Sequence, residues 1–431
     1  MKKVAYLLIA AFATLTVASC VKDQFETLRP ESVLGEKEIT VSLTPSTRTE
    51  LQEGKTVWVE GDTIWVSNGV AVEKVGIDAD YVGKSEFKFT VTTAAPTQEN
   101  QVVYVVYPVS AVPSVTDVDK CFTEDRKLIV DVPTTQDGEF SSANICVGAT
   151  YGQDIALRNV TAVLEIEIPE ETEAPIYQLA FSTAGEGVLA GRFNIDLSGD
   201  DPVVATVEGS ESGAITVQVD GMPGKKYVSV IPGTYAAGFK VIAATTDFAH
   251  ASETKVSKAE NTVVANGIYE LGTIGSNLES LKGDGSANNP FLIENLGHMI
   301  ALASAVVSGD VDAEGNVTGH SFEGEYLKVV EDIDGVTNPI GIYPDDETFR
   351  PFKGDFDGGG NTIKLNINGE FNLGLFGLVS AGANIHDINL AGTVTGTGSY
   401  VGGLVGEVHS MGEDVPVSIS NITSSVNVTG Y

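Results

Sequence analysis

The feature that most constrains this chain is a recurring alternation of apolar and polar residues from Glu36 onward. It runs through "ITVSL", "TVWVEGDTIWV", "FKFTV" and "VVYVVYPV". A period of two belongs to a strand with one face buried. A second set follows in "VTAVLEIEI", "YQLAFST", "ITVQV", "KKYVSVIPG", "FKVIAAT" and "IYELGTI". Gly, Asp, Asn and Pro punctuate both sets, as turns between short antiparallel strands require. The expected class is therefore all-β, built from sandwiches. Between the sets, "QDGEFSSANICVGATYGQDI" has little pattern, so a domain junction is expected within or just after it.

The amino end reads as an address. Lys2 and Lys3 precede an uncharged apolar run from Val4 to Val17, and small residues Ala18 and Ser19 follow. That run is too short to span a bilayer comfortably, so a cleaved signal over residues 1–19 is the better reading. The tetrapeptide Val17-Ala18-Ser19-Cys20 resembles the lipobox of bacterial lipoproteins, which implies that Cys20 is acylated and becomes the new amino terminus. Two or three acyl chains anchor a protein durably where one binds marginally. Lys22, Asp23 and Glu26 just beyond resemble the export tag of surface lipoproteins of the Bacteroidetes. Residues 20–35, polar and holding Pro30 and Gly35, read as a tether.

Removing residues 1–19 takes away two of the 25 basic residues and none of the 59 acidic ones, so the charge moves from −34 to 23 − 59 = −36. A chain so acidic lacks the phosphate neutralisation that drives nucleic-acid binding, and that partner class is excluded. The acids are scattered, which reads as a solvated surface. Beyond Cys20 only Cys121 and Cys146 remain. They can pair in an oxidising compartment or stay as buried thiols, and spacing does not decide between the two.

Several residues carry a further resemblance. "STRTEL", "VWVEGDTIWV", "YPVSAV", "VPTTQDGEFSSANICVGAT" and "LRNVTAVLEIEI" are similar to the first half of Bacteroidales fimbrillin-like lipoproteins. "VSVIPGTYAAGFKVIAAT" and "VVANGIYELGTI" are similar to the second half. The resemblance covers residues 36 to about 275 and implies two consecutive transthyretin-like β-sandwiches, at 36–152 and 153–277. It also implies processing by an Arg-specific protease after the first strand, here at Arg48 in "PSTRTE". The groove so opened would be filled by a neighbouring subunit's strand, which is β-augmentation. An ordinary strand-connecting Arg48 is the alternative.

The chain changes character at "LKGDGSANNPFLIENLGHMIALASAVVSG". Asn295 is placed to cap a helix whose apolar residues Leu296, Met299, Ala303 and Val306 follow one face, ending near Ser308-Gly309. After it, "FNLGLFGLV" and "YVGGLVGEV" carry Gly-Leu-X-Gly tetrapeptides, at Gly374–Gly377 and Gly403–Gly406. This block, 278–431, resembles the GLUG-motif family. An internal repeat supports the assignment independently. "IHDINLAGTVTG" from Ile385 aligns with "ISNITSSVNVTG" from Ile419 at an offset of 34, whereas the Gly-Leu-X-Gly offset is 29. An insertion around "SMGEDV" accounts for the difference. Short strands with Gly at corners predict a partial right-handed β-solenoid. Such a fold needs about three stacked repeats and a cap. The open strand edge near Tyr431 therefore predicts either a longer natural polypeptide, which is the expectation we adopt, or a partner covering that end.

Catalytic chemistry is not apparent. His250, His298, His320, His386 and His409 lie at least 22 residues apart, without metal-ligand spacing. Nucleophile elbow, P-loop and C-x-x-C motifs are missing. Asp387 and Glu407 read as isolated among apolar and Gly neighbours. "DVDAEGNVTGHS" begins like a calcium loop through Asp310, Asp312, Glu314 and Asn316, but its twelfth position is Ser321 rather than a bidentate Glu. We read it as a surface loop and expect no metal and no cofactor. "DFDGGGN", Asp355 to Asn361, reads as a tight turn.

The expectation is a non-enzymatic surface lipoprotein of the outer membrane, tethered at Cys20 and acting as a fimbrial tip-like or adhesin component. Its partners would be the membrane, other fimbrial subunits by strand exchange, and a host protein or glycan ligand that the sequence does not identify. A glycan-processing or surface-peptidase-associated solenoid, and a strand-exchange stalk subunit, are the alternatives. The appended block weighs against the stalk.

Overall fold

The computed structural model describes residues 37–43, 50–52, 55–91, 102–183, 187–197, 202–207, 211–247, 250–257, 260–308, 318–345, 348–409 and 415–430. These are mostly β-strand, with one helix longer than a single turn. They fall into two compact units, one drawn from Met1–Arg126 and Val147–Arg158, the other from Lys127–Cys146 and Asn159–Tyr431.

Alternation becomes strands where it was expected. They are β1 (Lys37–Leu43), β2 (Thr63–Ser67), β3 (Val72–Gly76), β4 (Glu86–Val91) and β5 (Val103–Tyr107), then β6 (Leu128–Val132) and β7 (Thr135–Gln136), then β8 (Cys146–Thr150) and β9 (Asp154–Asn159). The first unit is organised on one seven-stranded sheet in the order β3-β2-β5-β8-β9-β1-β4. β1 lies inside it, parallel to β9 and antiparallel to β4. Its Ile39 and Val41 are fully buried. An aromatic cluster fills this core, with Trp58 edge-on to Tyr107 at 5.6 Å and Phe87 stacked on Phe89 at 5.4 Å. Such rings add about 0.5–1.5 kcal/mol per pair beyond area burial.

The segment without visible pattern contains structure after all: a helical turn at Phe140–Ala143, and β8. Cys146, Val147 and Gly148 are buried in succession, as in a strand covered on both faces, and that erases the period of two.

The second unit begins with β6 and β7. It continues with β10 (Ala162–Ile168), β11 (Ile176–Thr183), β12 (Gly191–Asp196), β13 (Val203–Thr206), β14 (Ala214–Gln218), β15 (Gly224–Val230), β16 (Phe239–Thr245), β17 (Ser252–Val256) and β18 (Ile268–Thr273). Three sheets result: β17-β16-β11-β14-β7, β15-β10-β18 and β13-β12-β6.

Further along the same unit come β19 (Phe291–Ile293), helix α1 (Leu296–Ser308), β20 (Tyr326–Val329), β21 (Ile333–Val336), β22 (Asp355–Asp357), β23 (Thr362–Gly369), β24 (Phe376–Ser380), β25 (Asn384–Gly396), β26 (Val405–His409), β27 (Ser418–Ser424) and β28 (Asn427–Thr429). Helix α1 starts as expected, with Asn295 Oδ1 accepting from His298 N at 3.1 Å. The strand pairings here are parallel, and equivalent residues recur at fixed spacing. Tyr326 pairs with Asp355, Asp355 with Asn384, and Asn384 with Ser418. The spacings are 355 − 326 = 29, 384 − 355 = 29 and 418 − 384 = 34. The five extra residues fall between β26 and β27. The 34-residue alignment read from sequence is also the observed register, with Ile388 against Ile422 and Val394 against Val428. Among the described residues four strands, β20, β22, β25 and β27, share this pattern, and β19 pairs in parallel with the first of them.

Inward residues of the rungs form one core with helix α1 and with Ala180, Ile242 and Ala244 of β11 and β16. Leu327, Phe356 and Ile385 stack within it, each 1% exposed or less.

Candidate functional site

The period of two that buries Leu327, Phe356 and Ile385 sends their neighbours outward. In-register parallel pairing then stacks those neighbours into ladders: Tyr326, Asp355, Asn384 and Ser418 in one, Lys328, Asp357, His386 and Ser420 in the next. Lys328 Nζ donates to Asp357 Oδ2 at 2.5 Å. Asn384 Nδ2 donates to Asp355 Oδ2 at 2.7 Å. His386 lies with Nε2 3.2 Å from Asp355 Oδ1, and with Nδ1 2.7 Å from Asp387 Oδ2 and 3.9 Å from Asp357 Oδ1. Asn421 Nδ2 completes the set, donating to Asp387 Oδ1 at 3.0 Å. Asp387 and Asn421 occupy equivalent corners with φ of +56° and +53°. Asp and Asn tolerate the left-handed region better than other side-chained residues.

Burial alone would lower the His386 pKa, but the hydrogen bonds it donates to Asp387 and Asp355 and the charges of Asp355 and Asp357 outweigh it, and the pKa is raised. Asp387 is held below the usual carboxylate range, first by its hydrogen bond to His386 and then by that from Asn421. The corner is thus an imidazole–carboxylate ladder.

Its chemistry is bounded by these engagements. One ligand atom each from Asp357, His386 and Asp387 lies within 4.8 Å of the others, a set that can hold a metal ion. Lys328 already occupies Asp357, and Asn421 occupies Asp387. A glycoside-cleaving pair needs carboxyls about 5–10 Å apart with one acid held protonated by a raised pKa. Asp387 is displaced in the opposite direction.

A second polar cluster surrounds β26. Glu407 Oε1 accepts from Tyr343 Oη at 3.1 Å, and its Oε2 accepts from Asn372 Nδ2 at 2.8 Å. His409 Nδ1 lies 3.2 Å from the Tyr343 hydroxyl, and its ring sits 5.2 Å from that of Phe349. Burial, then the hydrogen bond and charge of Glu407, push Tyr343 up to about 12.

Asp387 and Glu407 are therefore not isolated, contrary to the sequence reading. Beside the near neighbours His386 and His409, their partners Asn421, Asn372 and Tyr343 stand 34, 35 and 64 residues away along the chain, invisible to local inspection. One signal could have found them: the 29-residue Gly-Leu-X-Gly spacing, applied to "DFD", lands on "NIH". "DFDGGGN" is a strand followed by its corner, with Gly359 and Gly360 at φ of +61° and +74°.

Cys20, Arg48 and the loop residues Asp310, Asp312, Glu314 and Asn316 lie outside the described residues. Cys121 and Cys146 are both buried thiols, and burial raises the pKa of Cys146. His298 is buried, its Nδ1 accepting from Glu294 N at 3.1 Å, and His250 and His320 lie beside Asp247 and Glu325. Among the described residues no helix is long and apolar enough to cross a membrane.

Comparison with known proteins finds no matching family and no matching curated protein. Solved structures do match. A candidate cell adhesion protein from Bacteroides uniformis is 16% identical, with 57% of this chain and 98% of that one covered, at a TM-score of 0.32. The tip fimbrial protein Mfa3 from Porphyromonas gingivalis, with C-terminal truncation, is 12% identical over 57% of this chain and 97% of that one, at 0.28. A fimbrial protein from Bacteroides ovatus is 10% identical over 60% of this chain and 54% of that one, at 0.28.

Proposed function

We propose that this chain is a surface lipoprotein of the fimbrial or adhesin type, held at the outer membrane by acyl chains on Cys20. In this reading two transthyretin-like sandwiches, 36–152 and 153–277, form a fimbrillin-like docking module. The stacked rungs of 278–431 form a GLUG-type β-solenoid that presents a repetitive recognition face. The role is binding rather than catalysis.

The observation that carries the reading is the position of β1. It is hydrogen-bonded on both sides, between β9 and β4, with Ile39 and Val41 fully buried. It joins the rest of the chain through the segment that contains Arg48. Loss of β1 would leave two unpaired strand edges and an apolar slot, which an extended segment of a neighbour satisfies. A cut after Arg48 would also release Cys20. The anchored form and the strand-accepting form are then successive states, and the same observation supports a second reading as a strand-exchange subunit.

The test uses the full chain produced with labelled fatty acid. Label is expected on the wild type and not on Cys20→Ala; label that persists in the variant removes the anchor from the reading. An Arg-specific protease is expected to cut after Arg48, after which a peptide of sequence KEITVSL binds the product. An uncut chain, or a cut chain indifferent to the peptide, refutes strand acceptance.

A further inference from the structure

Two outward strand faces of the second unit meet across a cavity of about 200 Å³ lined by neutral hydrogen-bonding residues alone. On one side, Gln178 of β11 stands opposite Gln218 of β14, and Thr216 of β14 stands opposite Thr135 of β7. On the other side, Asn366 and Asn368 lie two apart on β23, with Thr337 and Asn338 beyond β21. Asn366 Nδ2 reaches across to Thr134 Oγ1 at 3.1 Å. In a chain of charge −34, a cavity wall without one charged residue is a selective arrangement.

Gln178 is the telling residue. It is 2% exposed, lines the cavity, and its side-chain amide has no hydrogen-bond partner among the described residues. Thr216, 4% exposed, lies beside it on the same wall. The Gln178 amide lines the cavity without a partner among the described residues, so a ligand that enters can both donate to it and accept from it.

We infer that this cavity binds a neutral sugar residue of a glycan, an inference that rests on the adhesin reading and gives it a ligand class. Amides and hydroxyls each donate and accept, as do the vicinal hydroxyls of a sugar. An anion or cation would find no charged residue in the wall, and an apolar group would leave the Gln178 amide without a partner. Drug-sized ligands fill about 300–1,000 Å³, so the smaller volume suits one ring, not an oligosaccharide. Thr337 and Asn338 also rim an adjoining cleft of about 300 Å³ with Tyr177, Val307 and Ile342 on its wall. That cleft offers apolar surface to the C–H face of a following ring.

The experiment is saturation-transfer NMR on the full chain with glucose, galactose, mannose, fucose and N-acetylglucosamine, alongside thermal unfolding with each sugar. At least one sugar is expected to bind and to raise the unfolding midpoint. Gln178→Ala is expected to weaken it about tenfold, the net contribution of one to two neutral hydrogen bonds. Asn368→Ala, at an exposed position, is expected to weaken it severalfold with the unfolding midpoint unchanged, which separates binding from folding. Absence of binding by all five sugars, binding untouched by both substitutions, or displacement of the sugar by an unrelated neutral peptide overturns the assignment. Failure here leaves Cys20 acylation standing, and failure of acylation leaves sugar binding intact, so the two readings fall separately.

Discussion

Strands β25 and β27–β28 carry the same pattern 34 residues apart and pair with one another in register. Their surroundings differ. Ile385 and Val394 are fully buried, whereas their counterparts Ile419 and Val428 are 44% and 42% exposed. Gly392 of β25 has φ +93°, and a Cβ there would lie 2.0 Å from the Leu365 carbonyl oxygen. The residue 34 positions later is Val426, where the chain carries a branched side chain instead. Identical patterns thus have unequal energetic weight. A rung contributes fully only when another rung lies on both its sides, because apolar area counts only once it leaves water.

This contrast can be broken in three ways. The largest effect belongs to Gly392→Ala. A non-Gly residue at positive φ costs about 1–3 kcal/mol and overpacking against backbone about as much again, so a loss of about 2–6 kcal/mol is expected in chemical denaturation. The matching change Val426→Ala should cost less than about 1.5 kcal/mol. Equal losses would mean that both rungs are equally covered.

Next comes the aliphatic pair. Ile385→Ala is expected to destabilise by about 2–5 kcal/mol, from lost transfer energy and the cavity left behind. Ile419→Ala, already half in water, should cost about 1 kcal/mol or less. If Ile419→Ala proved the more costly in solution, the rung of β27 and β28 would have to be covered there.

The smallest effect is electrostatic and concerns the inner corner. His386 has a raised pKa when folded, so its contribution is complete below its unfolded value and is lost as pH rises through the folded value. Asp387 has a lowered one, so its contribution is complete above its unfolded value and is lost as pH falls through the folded value. The ladder is therefore strongest between about pH 4 and pH 6.5. Between pH 6 and 8.5 the wild type should lose stability relative to His386→Gln, read from denaturation midpoints at both pH values. Parallel midpoints for the two proteins would show that the ladder carries no linked proton.

Much of the local structure was legible. Alternation marked β1, β4, β5, β10, β11 and β16, a cap and a one-sided apolar stripe marked helix α1, and an offset of 34 marked the pairing of β25 with β27 and β28. What was not legible is instructive in particular residues. "LIVDV" alternates plainly as β6, yet nothing in it says that it pairs with β12 in the second unit. His386 shows no ligand spacing, because Asp355 and Asp357 come one rung below it. Gln178 sits in an apolar run and reads as a polar interruption. Only the packing of β23 across from β14 places it on the wall of a cavity.

The sequence by itself determined periodicity, turns and the helix, because each depends on residues adjacent along the chain. Tertiary structure alone decided which strand faces are covered, which carboxylates meet His386 and where Gln178 points. Those outcomes depend on pairing between segments tens of residues apart. A side chain's burial and charge environment are properties of its neighbours in space, which a period of two leaves open.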